Sequence, residues 1–449
     1  MAHQLFSPKS LFIIVVLMIL SISCPIIISA EKLKLTLEDA IALGIKNSLE
    51  IKAKELALSA SLKDVKAARA GYYPEVSLSS SYSHRFKTSS TDVTYDGALS
   101  NPDQIGLSID LSQPLYTFGR LKTAVSEAEK NSEISKHELN EKKRSLAVEI
   151  QRAFYGFLLA SEALSVKKQT LSYREEAVEI ARTRYEAGLA PKYEVLKAES
   201  ELKSFIPELL EAQNEVEYAL LNLKEIVGIQ KEVEVEIDGK LDIPAVQLER
   251  DVLLKKALSE NPDIKKNEMN LELLYLRKKL YSSERLPVLS GNAGFGLQND
   301  FDIMAGDFGL APGEWSSSLS AGVGIKMGLS SIFPWSKQKA EVEKSIIEID
   351  RMKTELQALR NNVSLKVEKL FLDLSREISK VDAGIKSVEL AEELFKSSKE
   401  MYENGLISSM EYADAQIGLD ESRIGYLTSI YDYRMSLCNL MDAIGADHL

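Results

Sequence analysis

Two stretches of this chain far apart in sequence are built to one plan, and that duplication limits the possible folds more than any other feature. Ile51 stands 23 residues before Pro74, and Ile264 stands 23 residues before Pro287. Each interval is a charged, amphipathic segment, entered through Asn47-Ser48 or Asn261-Pro262. Asn followed by Pro is a strong helix start, because the amide caps the first turn and the proline ring needs no backbone donor there. Farther on, Tyr185-Glu186-Ala187-Gly188-Leu189 recurs as Tyr402-Glu403-Asn404-Gly405-Leu406, and Glu194, Ala198 and Leu202 are matched by Glu411, Ala415 and Leu419. Seven identities at one offset of about 215 residues imply a duplicated structural unit.

Each unit holds two stretches that alternate between apolar and small polar residues, the signature of a strand with one apolar face. Ile105, Leu107, Ile109 and Leu111 alternate with Gly106, Ser108, Asp110 and Ser112, and Val76, Leu78 and Tyr82 form a weaker partner. In the second unit Leu289 to Leu297 alternates in the same way, as does the run from Leu319 through Val323 and Ile325 to Met327 and Leu329. The polar segments Lys87 to Asp103 and Asn299 to Trp315 read as the loops of two hairpins. Aromatic residues gather near the strand ends at Tyr72, Tyr73, Tyr116, Phe118, Phe333 and Trp335, where a membrane-interface girdle would lie.

A half-buried soluble sheet alternates in the same manner, so the neighbouring helices decide. From Leu121 to Tyr185 there is no proline and one glycine, Gly156, and these 65 residues form a rod of roughly 100 Å at 1.5 Å each. The second unit repeats this from Ser336 to Tyr402, where Val342, Ile346, Ile349, Met352, Leu356, Leu359, Val363, Val367, Leu370, Leu374, Ile378, Val381, Ile385 and Val388 keep a coiled-coil-like three-four spacing. Gly188 and Gly405 are the expected helix ends, from which the chain runs back to Val227 and to Ile444. Pro207 is expected to kink the first return helix. Four barrel-type strands cannot close a membrane barrel alone, and open edges are not tolerated in lipid, so the chain must oligomerise; dimer and trimer both satisfy closure.

Charge and motif content remove other classes. A net charge of -12 offers no attraction to nucleic acid. Residues 1–30 combine Lys9, an apolar run from Leu11 and small residues at Ser29 and Ala30, which reads as a secretory signal cleaved near Ala30. A retained anchor and lipid attachment at Cys24 are the rival readings. If Cys24 leaves with the signal, Cys438 is the remaining cysteine, which excludes an intrachain disulfide. The histidines are scattered, no nucleophile or nucleotide motif is present, and no cofactor, metal or catalytic residue is expected. The expected plan is a signal at 1–30, a first repeat at 31–240 and a second at 241–449. The strand pairs fall at 75–118 and 288–330, and the long helical hairpins at 121–227 and 336–444.

The duplicated plan, the Tyr-x-x-Gly-Leu tips and the strand pairs set between long helices resemble the TolC-like outer-membrane efflux proteins over the whole mature chain. The resemblance implies a mixed α and β membrane protein: a homotrimer sharing a transmembrane β-barrel with four strands per chain, joined to a long α-helical periplasmic barrel. Residues 228–260 and 33–43 fit the equatorial zone of such proteins. The implied function is a passive exit duct for efflux or type I secretion, working with a periplasmic adaptor protein and an inner-membrane pump or ABC exporter. By the same resemblance Gly188, Leu189, Gly405 and Leu406 are adaptor-contact tips, and Tyr402, Glu194, Glu411 and Asp414 belong to the periplasmic gate. Ile407 stands where related channels can carry an arginine that helps hold the gate shut, so that lock is expected to be missing. The alternative is a periplasmic coiled-coil scaffold or adaptor without a barrel; it shares the helices but gives no reason for four one-sided strands.

Overall fold

A computed structural model describes residues 33–84, 86, 103–243, 249–301, 303, 306 and 315–446. The expected signal segment and most of the two hairpin loops lie outside the described residues. The chain runs β1 (Leu33–Leu35), α1 (Leu37–Asn47), α2 (Leu49–Ala70), β2 (Glu75–His84), β3 (Asp103–Tyr116), α3 (Arg120–Glu186), α4 (Lys192–Val227) and β4 (Val235–Ile237). It continues α5 (Arg250–Glu260), α6 (Pro262–Ser283), β5 (Val288–Phe301), β6 (Ser316–Lys326), α7 (Lys337–Glu403) and α8 (Ser409–Ile444). The duplication reaches element lengths: α1 and α5 have 11 residues, α2 and α6 have 22, α3 and α7 have 67, and α4 and α8 have 36.

The helix starts and stops follow local chemistry. Ser48 caps α2 and Asn261 caps α6, the latter accepting from the amides of Asp263 and Ile264. Asn47 and Asn261 also donate across the fold, to the carbonyls of Val227 and Ala443 at the ends of the two return helices. All four long helices close through a positive-φ glycine, Gly188, Gly228, Gly405 or Gly445, a conformation that costs other residues about 1 to 2 kcal/mol. Helix α4 continues through Pro207 rather than ending there.

The coiled-coil spacing of α7 is buried along most of its length: Ile349 is buried, and Leu356, Val363, Val367, Leu374 and Val381 pack with residues of α8, α5 and α6, whereas Ile346, Ile378 and Ile385 of the same spacing are exposed. The equivalent core of the first half joins Leu35, Ala40 and Ile51 to Leu146, Ile150 and Phe154 of α3 and to Leu223 and Val227 of α4. Near the sheet, α2 packs on α3, and α6 packs on both α3 and α7; at the far end α4 packs on α3, α8 on α7, and α3 on α8. Between them, β1 and β4 pair in parallel beside α1.

The larger sheet is antiparallel in the order β2-β3-β5-β6. Its register aligns the alternating patterns of all four strands: Leu78, Ile109, Phe295 and Leu319 form one row across the sheet, and Val76, Leu111, Ala293 and Ala321 the next. On the other face the rows read Ser77, Asp110, Gly294, Ser320 and Ser79, Ser108, Gly296, Ser318. A one-residue slip of any strand would put its apolar set on the wrong side. One expectation needs correction: β6 ends at Lys326, and Leu329–Ile332 forms a 3-10 turn, so Met327 and Leu329 leave the strand. Gly328 and the Pro334 that follows break the extended run at the point where the chain must turn into α7.

Candidate functional site

The two helical hairpins end at tips built by the same device. The Leu189 amide donates to the Arg184 carbonyl at 2.8 Å and that of Gly188 to the Tyr185 carbonyl at 2.9 Å. In the second hairpin Leu406 donates to Met401 at 2.9 Å and Gly405 to Tyr402 at 3.0 Å. This closure needs a left-handed residue, and Gly188 and Gly405 supply it with φ of 73° and 72°. It also sets the next side chain outside the helix. Leu189 and Leu406 are 73% and 74% exposed, an apolar knob at each tip.

Behind the tips the two halves differ. Ser408 and Glu411 form a reciprocal capping box at the start of α8, and hydrogen bonds from the Ser408 amide and hydroxyl hold the Glu411 carboxyl below its ordinary range. Helix α4 starts after Pro191 with no side-chain cap, and Glu194 instead lies 3.8 Å from the Arg184 guanidinium. Arg184 reaches across to the second hairpin, donating to the Tyr402 carbonyl at 3.4 Å and lying 5.8 Å from the centre of the Tyr402 ring. It also lies against Gly405, where a Cβ would meet its Nη2 at 2.7 Å. One cation therefore joins Glu194, Tyr402 and Gly405, which the sequence had placed on separate hairpins.

Tyr402 is fully buried and stacks on Tyr412 at 5.0 Å; Tyr412 stacks on Phe395 at 5.5 Å, and Phe395 meets Tyr173 of α3 at 4.9 Å. The hydroxyls of Tyr402 and Tyr412 have no hydrogen-bond partner among the described residues. Burial raises the pKa of both, with Glu194 adding to the shift at Tyr402 and Glu176 at Tyr412. Asp414 is exposed and carries no hydrogen bond or ion pair among the described residues. Deeper between the hairpins, Thr170 of α3 donates to the buried Asp420 carboxylate of α8 at 2.6 Å, and Gln416 donates to the Thr170 carbonyl.

Sequence reading missed Arg184 because motif matching finds what the halves share. Its repeat equivalent is Met401, and the departure from symmetry was the signal. The Ser408 hydroxyl and Glu411 carboxylate at the second tip serve as a helix cap, and no group of three or more His, Cys, Asp or Glu able to hold a metal occurs among the described residues. The arrangement offers two apolar knobs, a ring-stacked core and carboxylates in graded exposure.

The sequence profile described as Outer membrane efflux protein matches residues 41–229 and 253–446. The chain belongs to this family. An uncharacterised protein of Haemophilus influenzae is 28% identical over 197 residues, covering 44% of this chain and 42% of that protein. The outer membrane protein TolC of Vibrio cholerae is 20% identical over 387 residues, covering 86% of this chain and 85% of that one. Among solved structures, the Campylobacter jejuni CmeC outer membrane channel superposes with a TM-score of 0.75 at 16% identity, over 91% of this chain and 85% of that one. The protein is thus one of the outer membrane, with a large periplasmic extension. No helix among the described residues is long and apolar enough to cross a membrane. As an outer membrane efflux protein the chain is an exit duct of the kind used in efflux and type I secretion.

Proposed function

We propose that three copies of the chain close a twelve-stranded barrel and that their tips form a gated periplasmic entrance, docked by a periplasmic adaptor that is held by an inner-membrane pump or exporter. The observation that carries this reading is the sheet: one face is apolar in register across four strands, and β2 and β6 are left as edges with one neighbour each. Edges of that kind are stable in lipid only when each β2 pairs with the β6 of a neighbouring copy. A third of a barrel per chain is the closure the family resemblance favours over a half.

In this reading Gly188, Leu189, Gly405 and Leu406 are the adaptor contacts, while Tyr402 and Glu194 hold the gate through Arg184. Threefold symmetry repeats any carboxylate facing the axis three times, which attracts cations. Of the two acids past the second tip, Glu411 is committed to its capping box and Asp414 is free. Asp414→Asn should therefore remove most of the cation selectivity of the purified trimer in planar bilayers and weaken block by divalent or trivalent cations from the periplasmic side. Adding Glu411→Gln should mainly lower stability. Wild-type selectivity and block in the double variant would place the gate charge elsewhere.

A further inference from the structure

The point where each strand pair hands over to a long helix carries a second duplicated motif. Tyr116-Thr117-Phe118-Gly119-Arg120-Leu121-Lys122 aligns, at the same offset as the tips, with Phe333-Pro334-Trp335-Ser336-Lys337-Gln338-Lys339. Both read aromatic, spacer, aromatic, spacer, basic, spacer, basic. The aromatic pairs are in contact in both copies, Tyr116 with Phe118 edge-on at 4.7 Å and Phe333 with Trp335 stacked at 4.8 Å. All four rings are substantially exposed, Trp335 at 79%. Phe118 adopts φ of 50°, making it the sole non-glycine residue with positive φ among the described residues. Backbone strain of that kind persists where surrounding structure or function demands it.

The charges are as unusual as the rings. Helices α1, α2, α4, α5, α6 and α8 each carry an acid in the first turn, as the helix dipole favours. Helices α3 and α7, the two that begin at the sheet, carry none. They begin instead with Arg120 and Lys122, and with Lys337 and Lys339, in a chain whose net charge is -12. Arg120, Lys122 and Lys337 form no ion pair among the described residues, and Lys339 has Glu343 at 3.7 Å. Cations at the positive end of a helix raise the energy of the chain unless an external anion offsets them.

We propose that this motif is a binding belt for the headgroups of anionic phospholipid in the periplasmic leaflet of the outer membrane, two sites per chain. The inference rests on the sheet being the membrane-spanning part. Exposed rings next to an apolar sheet face suit the boundary between acyl chains and headgroups. Basic side chains one turn farther out reach the phosphate level with their stems along the apolar surface. The amides of Arg120 and Leu121 are taken by Thr117 and that of Lys339 by Ser336, so the basic side chains carry the recognition. A soluble anionic partner would explain the charges but not the two exposed aromatic pairs that precede them.

Trp335 reports on this site directly, because the chain has two tryptophans and Trp315→Phe leaves Trp335 alone. The full-length protein carrying that substitution is reconstituted in bilayers mixing brominated phosphatidylglycerol with plain phosphatidylcholine, and in the converse mixture, and quenching gives the relative lipid occupancy at Trp335. Preference for phosphatidylglycerol should be on the order of fivefold per engaged charge. It should fall toward unity in Lys337→Gln/Lys339→Gln and survive in Lys337→Arg/Lys339→Arg, which keeps the charges. Equal quenching by both lipids in the parent, or an unchanged preference in the glutamine variant, overturns the proposal. Quenching by neither lipid would instead overturn the assignment of the sheet to the membrane.

Discussion

Gly188 and Gly405 have nearly the same positive φ and quite different surroundings. A Cβ at Gly188 meets nothing within 4 Å, whereas one at Gly405 meets the Arg184 guanidinium. Gly188→Ala should cost only the left-handed penalty of about 1 to 2 kcal/mol, and Gly405→Ala should cost more. In an Arg184→Ala background the two penalties should converge, and thermal unfolding of the four variants yields that coupling directly. Independent effects of Arg184 and Gly405 would show that the guanidinium gives way freely. The tip residues were legible because they recur. Arg184 was not, because its role comes from the other hairpin, 218 positions from the Tyr402 carbonyl it holds. The burial of Tyr402 was equally hidden, since stacking on Tyr412 depends on how α7 and α8 face one another.

At the level of elements, the alternating strands and the three-four spacing of the helices were readable because each reflects one buried or lipid-facing side. Boundaries were less so: the apolar alternation runs on through Met327 and Leu329, but a turn toward α7 takes precedence there. Facing can be tested in the sheet. Val323→Arg should cost about 2 to 4 kcal/mol and block assembly, whereas Gly324→Ser on the opposite face should be mild. Heat-resistant oligomer on a gel checks both, and equal tolerance would contradict the assigned sides. Between α3 and α8, burial raises the pKa of Asp420 despite Thr170 and the partial offset from Lys167, Arg174 and Arg423. An acid whose folded pKa lies above its unfolded one weakens the fold as pH rises through that interval. Asp420→Asn should therefore raise stability at neutral pH and flatten the stability profile between the two pKa values. A lower midpoint at neutral pH would mean that the ionised carboxylate is needed there.

For the molecule as a whole, the proposed closure is a matter of stoichiometry: four strands with an apolar side and two open edges per chain can seal in lipid only by pairing with other copies. The proposed adaptor contact is testable at the same scale. Leu406→Asp should abolish export while leaving the oligomer intact, because it removes an exposed apolar knob without touching the core. Export assayed beside oligomer content separates a lost contact from a lost fold, and undiminished export would move the docking point off the second tip. The polar side of the sheet has a different consequence. Its central rows are glycine and serine with Asp110 as their single charge, so a closed barrel would be lined by a wall with almost no relief. Cargo moving past such a wall finds few rings to stack on and few charges to pair with, and would travel by diffusion with little friction. Discrimination among cargoes would then fall to whatever loads the duct, with these central rows an indifferent stretch of its wall.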